Sequence, residues 1–400
     1  MGIKGLTKLI QQTAEGSYKE GSMKSYFGRT VAMDATMFLY QFLIAIRYGE
    51  GGGNLTNDAG DTTSHINGFL YRTIRMMENG IKPVYIFDGK PPDFKAEELA
   101  KRKEKREKAE QELKEAEETG DTDKVVQMQK RTVKVTKQHV KEVQDLLTFM
   151  GVPWFQAPGE AEAQASRMCA QGVVYGTGTE DMDALTFGTR RLVRHLTDPE
   201  ARKKPVMEFD LEKVLKGMDV TMEQFIDICI LCGCDYCPSI RGIGPKRAVE
   251  FIRKYKNIET MVEKLKSDEK YKIPEDWEYK KARDLFKNPD VTNKEHLPKF
   301  EWKAPMEQEL TQFLVDRMNF GMDRVKKAVE RLKACKGKSA QRRLDSFFKV
   351  MPSPSNASNK KKKGDDKNNG KVSGKKRKRD EKNGNTNNGA PKNKKVRTKK

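Results

Sequence analysis

Three segments of the chain combine a short apolar run with an acidic residue at its carboxyl end. They are residues 29–34, 82–88 and 172–181. Short apolar strands that alternate with helix-like sequence predict an α/β fold with a twisted, mostly parallel central sheet and helices on both faces. Ligands bind beyond the carboxyl ends of the strands in such sheets. We therefore expect Asp34, Asp88 and Asp181 to meet at one edge.

Other apolar patterns complete the expected framework. Two further strands are predicted over residues 151–155 and 190–196, and helices over 34–47 and 65–79. The glycine-rich turn in residues 239–255 lies between helix-like segments, and more helical sequence continues to about residue 336.

A long polar segment is inserted between two of the predicted strands. Between Pro92 and Pro153 the chain has no proline, and its central part has no aromatic residue and one glycine, Gly120. This composition predicts two long helices joined at residues 119–123. The first lacks a continuous apolar stripe, so we expect it to stand in solvent. Two interpretations remain open, a solvated hairpin and a mobile arch over the carboxylates.

The net charge of the chain indicates what kind of partner it binds. The chain has 79 Lys and Arg against 58 Asp and Glu, a formal charge of +21, which indicates a polyanionic partner. Residues 351–400 hold 18 of the basic and 4 of the acidic residues and no aromatic residue, and are predicted to be a disordered basic tail. The clusters at 375–379 and 394–397 are typical of nuclear import or of non-specific DNA contacts.

Hydropathy and cysteine content limit the class of protein. No stretch approaches the roughly 20 apolar residues of a membrane span, and the N-terminus has no apolar signal core. Six cysteines, four of them between Cys229 and Cys237, do not form a disulfide framework, which indicates a reducing compartment. Their spacing superficially resembles a zinc site, but residues 222–233 have the pattern of one apolar helix in which Cys229 and Cys232 fill core positions.

Seven acidic residues are candidates for one metal centre. They are Asp34, Asp88, Glu160, Glu162, Asp181, Asp183 and Asp235. If strand ends gather them, their mutual repulsion favours either protonation or bound divalent cations. Carboxylate oxygens select Mg²⁺ or Mn²⁺ over Zn²⁺. Two such ions could activate a water and stabilise the leaving oxygen of a phosphodiester.

Two further motifs indicate binding. Residues 242–248 (GIGPKRA) place Gly242 and Gly244 before Lys246 and Arg247 at a helix start, resembling a helix-hairpin-helix element that binds DNA phosphates. Residues 341–348 (QRRLDSFF) present an apolar plug on one helical turn, which either packs on its own domain or awaits a partner. The plug and its flanking glutamine consist of Gln341, Leu344, Phe347 and Phe348.

Several motifs together identify a family. MGIKGL, VAMDATMFLYQFLIAIR, TTSHINGF, KPVYIFDGKPP, APGEAEAQ, TEDMDALTFG, GCDY and SIRGIGPKRA occur in this order, and the chain resembles the eukaryotic flap endonuclease family over about residues 1–349. The resemblance implies a structure-specific 5′ flap endonuclease and 5′–3′ exonuclease that acts in Okazaki fragment maturation and long-patch base-excision repair. It also implies a monomer in the nucleus (nucleolus and nucleoplasm) and a further location in the mitochondrion.

The resemblance also assigns roles to residues. The seven carboxylates become ligands of two Mg²⁺ ions, which Mn²⁺ could replace, and Lys95 and Arg102 would contact the scissile phosphate. Implied DNA contacts are Gly2, Tyr40, Arg47, Arg72, Glu160, Gly233, Asp235, Gly242, Gly244, Lys246 and Arg247. Flapped or branched duplex DNA is the implied substrate. Residues 341–348 would bind the trimeric sliding clamp (PCNA).

These observations predict a division of the chain into successive regions. They are an N-terminal nuclease region (1–106), part of a helical arch (107–123), an internal nuclease region with the helix-hairpin-helix (124–255), a C-terminal helical region (256–339), the clamp-binding box (340–348) and the basic tail (351–400).

Overall fold

The structure is a computed structural model that describes residues 2–46, 55–92, 95–202, 204–266 and 270–338. The predictions for Arg47, for the clamp-binding box and for the basic tail lie outside these residues. Among the described residues, no helix is both long and apolar enough to cross a membrane.

One mixed sheet organises the described part of the chain. Its strands are β1 (Tyr18–Gly21), β2 (Thr30–Asp34), β3 (Lys82–Phe87), β4 (Trp154–Gln156), β5 (Gly176–Gly178), β6 (Arg191–Arg194) and β7 (Val206–Asp210). Their order in the sheet is β1-β7-β6-β5-β2-β3-β4. Strands β2, β3, β4, β5 and β6 all run parallel to one another. Strand β7 pairs antiparallel with both β6 and β1. The predicted α/β fold with a mostly parallel sheet is confirmed.

Helices flank the sheet. They are α1 (Leu6–Thr13), α2 (Ala35–Ala45), α3 (Ser64–Glu78), α4 (Ala96–Thr119), α5 (Thr122–Arg131), α6 (Lys137–Phe149), α7 (Ala161–Ala170), α8 (Asp183–Thr186), α9 (Leu211–Met218), α10 (Met222–Cys232), α11 (Pro245–Tyr255), α12 (Ile258–Leu265), α13 (Tyr279–Lys287), α14 (Glu307–Gln312) and α15 (Met322–Lys338). Short 3₁₀ turns and a π-helical turn (Phe313–Arg317) complete the described elements.

Strand β2 shows how the sequence builds a two-faced core. Val31, Ala32 and Met33 are completely buried. Val31 and Met33 join the hydrophobic cluster that contains α2 and α3, whereas Ala32 joins the one that contains α7. Successive side chains point to opposite faces of a strand, so a strand covered on both faces is apolar throughout.

The inserted segment differs from its prediction in one respect. Helices α4 and α5 pack against each other as a hairpin, and Ala109 and Ala116 are the buried residues of α4. The second helix, however, is short, so the prediction of a second long helix was wrong. It ends because β-branched residues in 132–136 favour an extended chain, in which Val133 and Val135 pack on the core. Thr136 then caps α6 by accepting a hydrogen bond from His139 N.

The cysteine-containing helix is the packed element that the apolar pattern predicts. Helix α10 is capped by Thr221, and Cys229 and Cys232 are both buried within its hydrophobic cluster. Helices α10 and α11 pack against each other across the loop 233–244. The regional boundaries proposed from the sequence stay predictions.

Candidate active site

The carboxyl ends of three neighbouring strands lie at the same edge of the sheet. Strand β2 lies between β3 and β5 and runs parallel to both. Asp34 is the last residue of β2, Asp88 directly follows β3, and Asp181 comes shortly after β5. The charges of the other two aspartates raise the pKa of Asp34. The structure thus brings these three aspartates together.

Asp34 is almost completely buried, with 6% of its surface exposed. Its Oδ1 accepts a hydrogen bond from Met37 N (3.0 Å), which caps α2, and its Oδ2 accepts one from Thr179 Oγ1 (3.2 Å). Burial is the main cause that raises the pKa of Asp34 to about 7, and the neighbouring charges of Asp88 and Asp181 add to it. Such a carboxyl group takes up a proton or a cation near neutral pH.

The N-terminal segment lies against Asp181 and a further aspartate, Asp183. Asp183 N donates to Asp181 Oδ1 (3.1 Å), and Ile3 N donates to Asp183 Oδ1 (2.6 Å). Burial, followed by the charge of Asp181, raises the pKa of Asp183 well above its usual value. Gly2 has a φ of +77°, and a Cβ added there would lie 1.7 Å from Asp181 Oδ1. The chain end therefore lies directly against these carboxylates.

Two glutamates come from the start of α7. Glu160 is the residue before the helix, and Glu162 is in its first turn. Ala161 N donates to Asp88 Oδ1 (2.8 Å), so the helix N-terminus holds the aspartate that follows β3. Burial raises the pKa of Glu162 well above its usual value, and the charge of Asp181 raises it further.

Asp235 reaches the same cluster from the loop after α10. Gly233 ends that helix with a φ of +108°, a backbone conformation that L side chains rarely adopt. Arg102 Nη2 donates to Asp235 Oδ2 (2.5 Å), and Lys95 Nζ lies 3.8 Å from the same oxygen. The charge of Asp235 also contributes to the raised pKa of Asp183.

Two cations from the base of α4 enter this carboxylate cluster. Lys95 Nζ donates to Glu160 Oε1, and Arg102 is held on its other side by Glu98 Oε1 (3.1 Å). Although burial disfavours its charged form, the neighbouring carboxylates of Glu162 and Glu160 raise the pKa of Lys95. In this structure the two cations are counter-ions of the carboxylates.

The donor chemistry of the cluster fits hard divalent cations. Its seven acidic side chains offer only carboxylate oxygens, the ligands that Mg²⁺ and Mn²⁺ prefer. Within the described ranges, no three His, Cys, Asp or Glu side chains already surround one point as metal ligands do. Burial, together with the charges of neighbouring carboxylates, raises the pKa values of Asp34, Glu162 and Asp183, so the cluster favours the uptake of positive charge.

A cavity of about 780 Å³ opens between α2, α4 and the strand ends. Tyr40, Asp88, Lys95, Arg102 and Glu160 are among the residues that line it. Tyr40 is partly exposed on α2, so it forms an aromatic wall next to the acidic and basic groups. Its volume lies within the range of about 300–1,000 Å³ that is typical of ligand-binding sites.

The glycine-rich loop presents its cations at a helix start. Gly244 directly precedes α11, and Gly242 adopts a φ of +87°. Lys246 and Arg247 are exposed in the first turn of that helix, and Arg247 Nη1 donates to Gly242 O (2.5 Å). Cations and unpaired N–H groups at a helix start can bind phosphate.

Arg72 on α3 makes contacts within the protein. Its Nε donates to Thr197 O (3.2 Å), and its guanidinium group lies 5.4 Å from the centre of the Phe42 ring. Burial, followed by the charge of Arg75, lowers the pKa of Arg72. A DNA contact by Arg72 stays a prediction.

Two side chains of the site were missed in the sequence. Tyr236 is buried, and its hydroxyl donates to Glu160 Oε2 (2.5 Å). Thr179 donates to Asp34, and its own Oγ1 accepts a hydrogen bond from Asp181 N (3.2 Å). Both residues lie within two positions of a predicted ligand, and that adjacency was the available signal. Sequence alone could not show which way the side chains point.

Family models match two parts of the chain. Residues 1–109 match the XPG N-terminal domain, and residues 151–235 match the XPG I-region. Together the two matches include all seven acidic residues of the cluster.

Individual proteins match over nearly the whole chain. Flap endonuclease 1 of Nematostella vectensis is 52% identical over 356 residues, covering 89% of this chain and 93% of the relative. Flap endonuclease 1-A of Oryza sativa subsp. japonica is 53% identical over 355 residues, covering 89% and 92%.

Solved structures share the fold. Flap endonuclease-1 from Methanococcus jannaschii has a TM-score of 0.62 and 35% identity, covering 81% of this chain and 97% of that one. The catalytic core of Rad2 in complex with a DNA substrate has a TM-score of 0.64 and 24% identity, covering 83% and 100%.

Proposed function

This chain belongs to the flap endonuclease 1 family, and on that premise we propose that it is a structure-specific nuclease that cleaves 5′ flaps on duplex DNA, with accompanying 5′–3′ exonuclease activity. The observation that carries the proposal is the convergence of seven carboxylates and two cations at one edge of the sheet. This set provides both the charge that binds metal ions and the charge that binds phosphate. We further propose that the nuclease acts in Okazaki fragment maturation and long-patch base-excision repair.

The cofactor of the proposed reaction is a pair of Mg²⁺ ions, for which Mn²⁺ can substitute. The ligands are the seven carboxylates described above, which present only oxygen donors. When bound, such ions supply a nucleophilic water at neutral pH and stabilise charge on the leaving oxygen. The raised pKa values of Asp34, Glu162 and Asp183 support this assignment, because divalent charge stabilises the ionised carboxylates that burial and mutual repulsion disfavour.

Lys95 and Arg102 change partners in the proposed mechanism. In the structure they neutralise Glu160 and Asp235. Glu160 and Asp235 are among the residues that would hold the metal ions, and Lys95 and Arg102 would turn from them to the scissile phosphate and stabilise its developing negative charge. Tyr40, which lines the same cavity, can stack on a base next to that phosphate.

The rest of the body holds the duplex without reading its sequence. Lys246 and Arg247 are exposed at the start of α11, and Gly242 and Gly244 let DNA phosphates approach the backbone there. Arg47, Arg72 and Gly233 are further proposed duplex contacts, and Gly2 is one next to the carboxylates. Glu160 and Asp235 contribute to DNA binding indirectly, because they pair with Lys95 and Arg102 in the structure.

The proposed protein partner is the trimeric sliding clamp. The support lies in the sequence, where Gln341, Leu344, Phe347 and Phe348 form one recognition turn before a polar tail. We further propose that the enzyme is a monomer that acts in the nucleus, where the basic clusters of the tail would direct it, and that part of it reaches the mitochondrion.

A comparison of three substrates tests the proposed function. Cleavage is measured with Mg²⁺ on a 5′-flap duplex, a nicked duplex and a four-way junction of equal length. We expect the flap substrate to be cut fastest, and Asp181→Ala to abolish cleavage while flap binding stays nearly unchanged, because the carboxylate serves the metals and other residues hold the DNA. Flap binding without cleavage by the unmodified protein would instead identify a non-catalytic junction binder.

A further inference from the structure

Two cysteines flank the residues that complete the active site. Cys234 and Cys237 enclose Asp235, which pairs with Arg102, and Tyr236, which hydrogen-bonds to Glu160. Both cysteines are free thiols, and their Sγ atoms lie 3.8 Å apart. The proposed reaction uses neither of them.

The separation of the two sulfur atoms is close to that of a disulfide. A disulfide bond needs about 2.05 Å between its sulfur atoms, so rotations of the two side chains and a small adjustment of the loop would suffice to close it. The pair lies in a bend after the end of α10, where the backbone is not fixed by helical hydrogen bonds. Cys229 and Cys232 have the same sequence spacing but are buried within α10.

A small oxidant can reach the pair. A cavity of about 320 Å³ borders both cysteines, and Lys4, Lys101 and Lys105 also line it. Cys234 is partly exposed, whereas Cys237 is buried, with 8% of its surface exposed. Glu97, Glu98 and Asp235 line the same cavity, so its lining carries charges of both signs.

We propose that Cys234 and Cys237 form a reversible disulfide that controls the loop carrying Asp235. The sulfur of Cys234, the more exposed residue, attacks one sulfur of a small disulfide RSSR, which forms a mixed disulfide and releases RS⁻. The sulfur of Cys237 then attacks the sulfur of Cys234 and releases the second RS⁻. The two thiol protons pass to the released groups, so the protein loses two electrons and RSSR is reduced to two RSH.

The expected consequence rests on the proposed function. Bringing the sulfurs together closes a ring that contains the backbone of Asp235 and Tyr236. This shift moves the carboxylate and the hydroxyl away from their present partners, Arg102 and Glu160. A displacement of about 1 Å in such a site costs roughly 100-fold in rate. The oxidised enzyme is therefore a slow form that reductants restore.

The experiment treats the full chain with glutathione disulfide and follows two independent signals. Peptide mapping by mass spectrometry identifies which cysteines are linked, and single-turnover flap cleavage is measured before oxidation, after it and after reduction. The variants are Cys234→Ser, which cannot form the bond, and Cys335→Ser as a matched control. Cys335 lies on α15, where its Sγ donates to Arg331 O, and a serine hydroxyl can make the same bond.

The expected result is a link between Cys234 and Cys237 in the unmodified chain and in Cys335→Ser, with a loss of cleavage of roughly 10-fold to 100-fold that reduction reverses. Cys234→Ser should keep its cleavage rate under oxidation. The proposal is overturned if mapping finds no such link, or if Cys234→Ser loses the same activity. Failure of the proposed function is distinguishable, because the reduced chain would then lack flap cleavage while the link could still form.

Discussion

Gly2 lies where the active site leaves no room for a side chain. A Cβ there would lie 1.7 Å from Asp181 Oδ1 and 2.4 Å from Asp183 Oδ1. These oxygens belong to carboxylates that the backbone fixes, so they cannot simply move aside. The backbone at Gly2 is therefore part of the wall of the active site.

We expect Gly2→Ala to lower the single-turnover cleavage rate by roughly 100-fold, because the methyl group displaces two proposed metal ligands. Gly16→Ala is the matched control, since Gly16 has a similar φ of +78° but nothing within 4 Å of an added Cβ. Both changes strain the backbone, and only the first crowds the carboxylates. Equal rates for the two variants would show that Gly2 has no steric role in the site.

The buried carboxyl groups make stability depend on pH when divalent ions are absent. The pKa of Asp34 is raised to about 7, so its proton is bound more tightly in the folded state than in the unfolded chain. The stabilisation is complete below the usual pKa of an aspartate and is lost as pH rises through about 7. Glu162 and Asp183 act in the same direction.

Removal of divalent ions with a chelator should therefore lower the melting temperature more at pH 8 than at pH 6. The loss is roughly 1 kcal/mol per deprotonated carboxyl, and Mg²⁺ should restore it. Calorimetry at the two pH values measures the effect. Asp34→Asn is the matched control, because asparagine still caps α2 but does not titrate, so its pH dependence should be smaller. A chelator effect independent of pH would contradict this account.

Helix α4 connects the exposed hairpin to the reaction centre. Its charged residues pair mainly with each other one turn apart, which solvates the helix without packing it. Arg102 is different, because it contacts both Glu98 on its own helix and Asp235 in the cluster. The position of this helix thus determines whether a cation stands beside the carboxylates.

Arg102→Ala should lower the single-turnover rate by roughly 100-fold or more while flap affinity changes little, because a charge aimed at the transferring phosphate acts mainly in the transition state. Lys108→Ala is the control on the same helix, since Lys108 is exposed and pairs with Glu104 alone among the described salt bridges. Rapid-quench kinetics and equilibrium binding separate the two effects. Equal losses in rate and affinity would make Arg102 a docking residue.

The elements that the sequence predicts well are those with a strong pattern. Strands β2 and β3 were predictable because each contains an apolar run with an aspartate at its last position or directly after it. Strands β1 and β7 were missed because charged residues, Glu20 and Glu208 among them, interrupt their apolar pattern. Their antiparallel pairing at the sheet edge depends on contacts between distant segments, which local pattern does not encode.

The acidic members of the site were predictable from the sequence, but its other members and its contacts were not. The acidic residues could be gathered because parallel strands end at one edge, a property of topology. Lys95 and Arg102 reached the candidate set only through the family resemblance, since their pairing with Glu160 and Asp235 joins segments far apart in sequence. Tyr236 was missed because an aromatic residue beside a ligand has no pattern of its own.

At the scale of the whole molecule, charge is divided between a mildly basic body and a strongly basic tail. The tail at residues 351–400 carries 18 basic and 4 acidic residues, whereas catalysis is assigned to residues of the body. Phosphate contacts are weakened by salt, and contacts between a polar tail and phosphates would add affinity without shape recognition. Preference for a flap over other DNA should therefore belong to the body.

The predicted clamp-binding box is also separate in sequence from the residues to which catalysis is assigned. Leu344, Phe347 and Phe348 share one face of a single predicted turn, and the sequence after them is too polar to cover that face. Buried aromatic anchors account for most of the affinity in interfaces of this kind, at roughly 2 kcal/mol or more each. The turn lies outside every segment assigned to the active site.

Replacing both Phe347 and Phe348 with alanine should thus weaken clamp binding by several kcal/mol, on the order of two anchors lost together. Flap cleavage by the isolated enzyme should not change. Calorimetric titration against the sliding clamp measures the first half, and a cleavage assay without clamp measures the second. Normal clamp binding by the double variant, or a loss of intrinsic cleavage through unfolding, would mean that the apolar turn packs on its own domain, because only a turn free of that domain can lose its anchors without affecting the catalytic fold.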